Sequence, residues 1–330
     1  MELRAPTTVT STSRTARFLT SVALWFDSAA APVVPDAATG AGRRIDWLRV
    51  LPFIGIHAGC AGVLLVGFSW TALWTAVLLY ALRMFAITGF YHRYFSHRAF
   101  QASRAMQFLF ALIGASSAQR GPLWWASHHR HHHVHSDTPG DPHSARQHGF
   151  WWSHLGWFLA QGSFATRLER VPDLARFPEL RFLDRFDLLA PFALGALLYG
   201  TGEVLAQVAP GLQTSGGQLL VWGFFVSTVA LYHATFFINS LSHRLGTRRY
   251  ATRDESRNNL WLSLLTFGEG WHNNHHHFPG AARQGFFWWE IDVTHLGLRA
   301  LAALGLIHNL KQVPAQILNA RLVAGGGRRA

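Results

Sequence analysis

The chain has 330 residues, 49% of them hydrophobic and 14% charged, and its formal charge of +12 is almost wholly arginine because Lys311 is the sole lysine. That balance is too apolar for an ordinary soluble domain, and the long apolar runs assign the basic surplus to an anionic membrane rather than to nucleic acid. Cys60 stands alone, which excludes intrachain disulfides, iron–sulfur clusters and any CxxC redox or zinc motif.

Residues 1–46 are rich in Ser, Thr, Ala, Pro and Arg and read as a flexible tail carrying an interfacial helix near 18–26. Four segments, 47–66, 71–91, 188–208 and 218–241, have the ~20 apolar residues that a spanning helix needs. The link at 67–70 is uncharged and 210–217 has no Lys or Arg. By contrast Arg93, Arg98, Arg104, Arg120 and Arg130 follow the second segment, and Arg244, Arg248, Arg249, Arg253 and Arg257 follow the fourth. The positive-inside bias therefore puts both links outside and the rest, including both termini, in the cytoplasm. Stretches 106–116, 150–164 and 286–306 are too short or too broken to span, and their Trp-rich flanks suit the bilayer interface. They are expected as helices of a cytoplasmic cap, with 150–164 also open to a re-entrant course. The expected fold is thus an all-α integral membrane protein, with four transmembrane helices and a cytosolic helical cap in one domain over 47–310. A tail follows at 311–330, with 324–330 expected to be disordered.

Histidine clusters carry the chemistry. In GEGWHNNHHHFP, His272, His275 and His276 stand at i, i+3 and i+4, so on a helix they project from one face. In HHRHHH the same spacing is met by His129, His132 and His133, and equally by His128, His131 and His132. Sliding by one residue turns the face by ~100°, so both triads cannot serve one centre, and periodicity does not choose between them. HRYFSH adds His92 and His97, and a lone His243 follows Asn239 by one helical turn. All of these fall on the predicted cytoplasmic side. Nine neutral imidazoles exceed the needs of one ion, and a structural zinc site closes with four ligands, so the count fits two ions. Imidazole alone does not name the metal. Glu269, Asp137 and Asp141 are placed to accept ring N–H bonds and orient the ligands. His57, His143, His148, His154, His233, His295 and His308 are expected in packing, surface or supporting positions, and Cys60 in packing.

The set HRYFSH, HRHHH, NSLSH and GEGWHNNHHHFP resembles the membrane-bound fatty-acid desaturases, in particular the Δ9 acyl-CoA (stearoyl-CoA desaturase-like) branch, over about residues 47–310. The resemblance implies four transmembrane helices beneath a cytosolic cap that holds a di-iron centre. It implies His92, His97, His129, His132, His133, His243, His272, His275 and His276 as ligands, with Asn239 at the position of an iron-bound water. Its H-R-x-H-H wording selects His129, since only that histidine of the two registers precedes Arg130. It also implies that bulk on the second transmembrane helix closes a substrate tunnel, here at Ala76 and Tyr80, which share a helix face. The animal acyl-CoA enzymes place an Arg-Asp pair before the second box and a basic pair after an SH-x-GW segment, and both contact or flank coenzyme A. Here those positions are Ser127 and His128, then Gln161 and Gly162, which leaves the acyl carrier open between CoA and a lipid.

The implied reaction inserts a cis double bond, Δ9 in type, into a saturated long-chain acyl group. O2 is reduced to water by the two substrate hydrogens and two donated electrons. With no fused cytochrome b5 segment and no cysteine motif, the electrons are expected from a separate ferredoxin, cytochrome b5 or rubredoxin type of carrier with its reductase. Histidine-box centres also serve lipid hydroxylation, which is the competing reading among enzymes. A histidine-rich metal transporter is the alternative outside that class, but the apolar spans offer few polar residues to line an ion path. The Arg-, Ala- and Gly-rich composition suits a bacterial inner membrane.

Overall fold

The computed structural model describes residues 14–30, 34–38 and 40–323. The expected disordered end at 324–330 and the first residues of the N-terminal tail lie outside the described residues. Helix α1 (Arg14–Phe26) covers the segment near 18–26 where a helix was expected, with Phe18, Leu19 and Phe26 exposed along it. Helix α2 runs over Leu51–Val66, α3 over Trp70–Ser96, α4 over Arg104–Ala115 and α5 over Pro122–His135. After the short α6 (Pro178–Arg185) come α7 (Leu189–Val208) and α8 (Gly216–Leu241). The short α9 (Leu260–Leu265) and α10 (His272–His277) precede α11 (Val293–Ala303). Strands β1 (Gln101–Ala102) and β2 (Ile307–His308) pair antiparallel, Gln101 opposite His308, and tie the segment after α11 to the one after α3.

Among the described residues three helices, α3, α7 and α8, are long and apolar enough to cross a membrane. The expected first span starts later than predicted, at Leu51, because Pro52 fixes the first helical turn. Residues 47–50 instead form a turn held to α1, where Trp25 Nε1 donates to Leu48 O at 3.1 Å. Of the three expected cap stretches, 106–116 is helical within α4. Of the stretch 150–164, residues 150–159 are helical, with i→i+5 bonding over Trp152–Gly156, and the chain then turns onto the N-terminal segment, where Gln161 N–H donates to Arg44 O at 2.9 Å. In 286–306 only α11 is helical, started where Asp292 accepts the His295 N–H at 2.9 Å. The described residues past 310 stay bound to the rest of the fold, with Lys311 N–H donating to Ala99 O at 2.8 Å and Val323 N–H to Arg249 O at 2.9 Å.

Both short links lie at one end of the bundle. Ser69 caps α3 and Ser215 caps α8. Across the two hairpins Thr71 Oγ1 donates to Leu212 O at 2.7 Å and Trp222 Nε1 to Gly67 O at 3.0 Å. Every histidine box therefore sits at the opposite end, where α3 and α8 finish.

Candidate metal centre

Each box reaches the centre by a different local device. Over Ala86–Ser96 helix α3 widens to i→i+5 bonding, and His97 N–H donates to His92 O at 3.2 Å. That bonding stacks residues five apart, where an α-helix stacks those three and four apart, so His92 and His97 face the same side. On α5, His129, His132 and His133 point inward. The slid register is turned away: His128 is buried with its ring 4.6 Å from that of Trp124 and 5.7 Å from that of Trp157, and His131 Nε2 lies 3.2 Å from Gly140 O. His243 stands just past α8, and α10 presents His272, His275 and His276.

The nine imidazoles separate into two groups. Ring nitrogens of His92, His97, His129, His133 and His275 lie within 4.8 Å of one another, as do those of His132, His243, His272 and His276. In the first group the Nε2 atoms of His97 and His129 are 2.8 Å apart, His129 and His133 3.0 Å, His133 and His275 2.9 Å, and His275 and His92 3.0 Å. In the second, the His243 and His272 Nε2 atoms are 3.0 Å apart. The far nitrogens explain which way the lone pairs point. Nδ1 of His92 meets Glu269, that of His132 meets Asp141 at 3.0 Å, and that of His243 meets Asp137 at 2.8 Å. His276 Nδ1 meets Asp254 at 2.6 Å. An ionised carboxylate only accepts, so each of these rings carries its proton on Nδ1 and turns an Nε2 lone pair inward. His276 Nε2 and His272 Nδ1 are buried without a hydrogen-bond partner. Facing lone pairs in a buried site are unfavourable until a cation lies between them, so the donor set fits two metal ions, one for each group.

Glu269, Asp137 and Asp141 sit where the sequence suggested; Asp254 was missed. It lies on a loop 22 residues before His276, and no periodicity links a loop to a helix. The asparagines inside the third box build that link. Asn273 Oδ1 accepts the N–H groups of Arg249 and Tyr250, each at 2.8 Å, and Asn258 Oδ1 accepts that of Asn274 at 3.1 Å. The glycines of GEGW serve the same fixing: Gly268 has φ +126°, and a Cβ on Gly270 would come within 2.1 Å of Ser263 N. Buried Arg93 anchors Glu269 at 3.1 Å and Asp292 at 3.0 Å. His143 was expected in a supporting place and lies against Asp141, its ring 4.3 Å from that of His132.

Burial, reinforced by neighbouring imidazoles, drives His97, His129, His133, His272 and His275 well below the ordinary imidazole range. Burial also takes His276 down to about 4, with Asp254 pulling against it. His132 goes the other way, since Asp141 outweighs its burial. Burial raises Asp137, Asp141 and Asp254, but their histidine partners outweigh it and hold all three below the usual carboxylate range. A sign follows for stability. An unfolded imidazole takes up its proton near pH ~6.5 while the buried ones stay neutral, so below that pH the unfolded chain binds more protons and the fold loses stability. For His276 the loss runs from the unfolded value down to about 4. The depressed carboxylates add a further loss only below their unfolded value of 3.8. The Tm of metal-free protein is expected to fall steadily from pH ~6.5 to ~4, because the lowered imidazoles outnumber raised His132, whose own contribution is instead lost as pH rises above ~6.5. A Tm that stays level through that interval would mean the imidazoles are not buried in neutral form.

A cavity of about 220 Å³ leads away from the histidines. It touches His92, His129, His132, His243 and His272, and Asn239 lines it beside His243. Its walls are mainly apolar and aromatic, among them Phe53 and Ile56 of α2, Trp125 of α5 and Phe236 of α8. It meets α3 only at Ile87, Thr88 and His92. Ala76 and Tyr80, expected to close a tunnel, are not among the residues that line it. The cavity follows the α2 and α8 side, whereas Tyr80 packs on Phe267 and its hydroxyl is tied to Leu265 O at 2.6 Å.

Comparison with known proteins agrees with this geometry. The fatty acid desaturase family profile matches residues 68–307. The sn-1 stearoyl-lipid 9-desaturase of Anabaena variabilis is 39% identical over 277 residues, covering 83% of this chain and 97% of that protein. The sn-2 palmitoyl-lipid 9-desaturase of a Nostoc species is 40% identical over 285 residues, 84% of this chain and 94% of that one. An acyl-CoA 5-desaturase of Anemone leveillei is 37% identical over 288 residues, 83% and 85% of the two chains. Histidines gathered at one end of an apolar bundle and a family match across most of the length lead to one conclusion: this chain belongs to the fatty acid desaturases.

Proposed function

We propose that this desaturase introduces a cis Δ9 double bond into a saturated long-chain acyl group, with two iron ions held by the two histidine groups. The observation that carries this reading is the pair of inward-facing imidazole sets at the head of an apolar cavity. His92, His97, His129, His133 and His275 would hold one ion. His132, His243, His272 and His276 would hold the other, with Asn239 completing it through a water. Bound iron would supply the O2-dependent oxidation that unactivated methylenes demand and acid–base side chains cannot deliver. The protein's own part is positional. Glu269, Asp141, Asp137 and Asp254 keep protons on Nδ1 of their histidines, and the cavity walls hold an acyl chain against the ligands while excluding water. Names of the similar proteins, stearoyl-lipid and palmitoyl-lipid 9-desaturases, support the Δ9 position.

Helix α2 would join α3, α7 and α8 as a fourth span, short in itself and extended to the interface by residues 47–50. The arginines grouped beyond α3 and α8 support a cytoplasmic cap with both termini on that side, in a bacterial inner membrane. Electrons would come from a separate ferredoxin, cytochrome b5 or rubredoxin type of carrier and its reductase.

Expression in a host of known lipid content, followed by gas chromatography–mass spectrometry, tests the reaction. Monounsaturated Δ9 products are expected. Hydroxylated chains would favour the oxygenase reading, and unchanged lipids from iron-loaded protein would defeat both. In the same assay Ile56→Phe, which fills the cavity, is expected to shift products toward shorter chains, while Tyr80→Ala leaves chain length unchanged. The reverse pattern would restore the tunnel to the Tyr80 face of α3.

A further inference from the structure

The cavity that begins at the histidines also carries a buried cation with nothing to bind. Arg49 lines it and is 8% exposed, and its Nε and Nη2 are buried without a hydrogen-bond partner. Its guanidinium carbon lies 4.2 Å from the centre of the Phe164 ring. A guanidinium keeps its proton even when buried, so Arg49 is a cation at neutral pH. Arg120 lines the same cavity but is already paired, its Nε 3.2 Å from Asp187 Oδ2. Asp46 uses its carboxylate on the Arg49 backbone N–H at 3.2 Å. Arg49 Nε and Nη2 thus remain charged donors without an acceptor at the wall of an apolar cavity. A buried charge left in that state is unfavourable, and a ligand that brings one anionic group would complete it.

Position fixes the kind of ligand. Arg49 stands two residues before α2, at the level where that helix leaves the apolar layer. Leu24 and Trp25 of α1 line the cavity beside it, and the outward residues Phe18, Leu19 and Phe26 give α1 an apolar surface suited to the headgroup boundary. The occupant therefore has a long apolar body and a single negative charge at interface depth. A coenzyme A ester carries several phosphate charges, yet Arg49 and Arg120 are the only Lys or Arg among the described lining residues. We propose that Arg49 anchors the phosphate of a membrane glycerophospholipid whose acyl chain occupies the cavity, so that the chain meets the histidines while still esterified. This rests on the desaturase reading and adds the residue that would hold the headgroup.

Binding can be measured apart from turnover. Iron-loaded protein in nanodiscs would be titrated with stearoyl phosphatidylglycerol, with an uncharged stearoyl galactolipid and with stearoyl-CoA, and captured ligand quantified by native mass spectrometry. Arg49→Gln is expected to weaken phosphatidylglycerol binding about tenfold, the size of one charge-assisted hydrogen-bonded contact. It should leave galactolipid binding and metal content unchanged, and Arg49→Lys should keep most of the affinity. Unchanged phosphatidylglycerol binding in Arg49→Gln would overturn the proposal. So would a loss shared by all three ligands together with metal, which marks a structural role. Wild-type protein that prefers stearoyl-CoA, and loses it on Arg49→Gln, would transfer the site to coenzyme A esters. Wild-type protein that captures phosphatidylglycerol through Arg49 but never unsaturates it would refute the desaturase reading and leave the lipid anchor standing.

Discussion

His129→Ala and His133→Ala are each expected to abolish desaturation and strip metal from the first histidine group, while His128→Ala and His131→Ala keep measurable activity. His129 Nε2 stands between those of His97 and His133, at 2.8 and 3.0 Å, so its loss opens the middle of a five-nitrogen set. His133 bridges onward to His275 at 2.9 Å. Loss of a ligand affects chemistry and metal retention together, so metal analysis of purified protein should follow the activity. His128 lies among Trp124 and Trp157, and His131 faces Gly140 O, so neither ring offers a nitrogen to the two groups. Iron-poor, inactive protein from His128→Ala and His131→Ala, with active His129→Ala and His133→Ala, would reverse the register.

Much of this centre was legible because helical spacing is written into the sequence. The i, i+3, i+4 triads of α5 and α10 state which rings share a face, and the apolar lengths of α3, α7 and α8 state where the chain can cross a membrane. What spacing could not show was how HRYFSH presents two histidines five apart, because that depends on the i→i+5 stretch and not on the usual helix period. Nor could it divide nine rings into five and four, since that division follows from how separate elements pack. Counting back from His92 finds a face of α3, whereas the cavity meets α3 only at Ile87, Thr88 and His92 and otherwise follows α2 and α8, a packing that spacing does not reveal. Arg49 was hidden more deeply. In sequence it is one arginine among many, and only burial without a partner distinguishes it.

Asp254→Asn is expected to cost about 10–100-fold in affinity for metal at the second histidine group, the range known for partners that orient metal-binding histidines. Asp254 Oδ2 lies 2.6 Å from His276 Nδ1, and the carboxylate is fixed from behind by the Ser256 N–H at 3.0 Å. As an acceptor it forces the proton onto Nδ1 and leaves His276 Nε2, which is buried and has no other partner, as a free lone pair. Asparagine is nearly the same shape but can turn its NH2 toward Nδ1. His276 would then be held as the Nε2–H tautomer, which cannot ligate. The effect acts through the imidazole and not through packing, so Asp254→Glu should retain more metal than Asp254→Asn despite its greater change in size. Iron per chain after dialysis against graded chelator measures this without relying on turnover. Equal retention by wild type and Asp254→Asn would mean that His276 is oriented by something other than this carboxylate. Loss confined to two- or threefold, and equal in both variants, would mark Asp254 as a loop brace only.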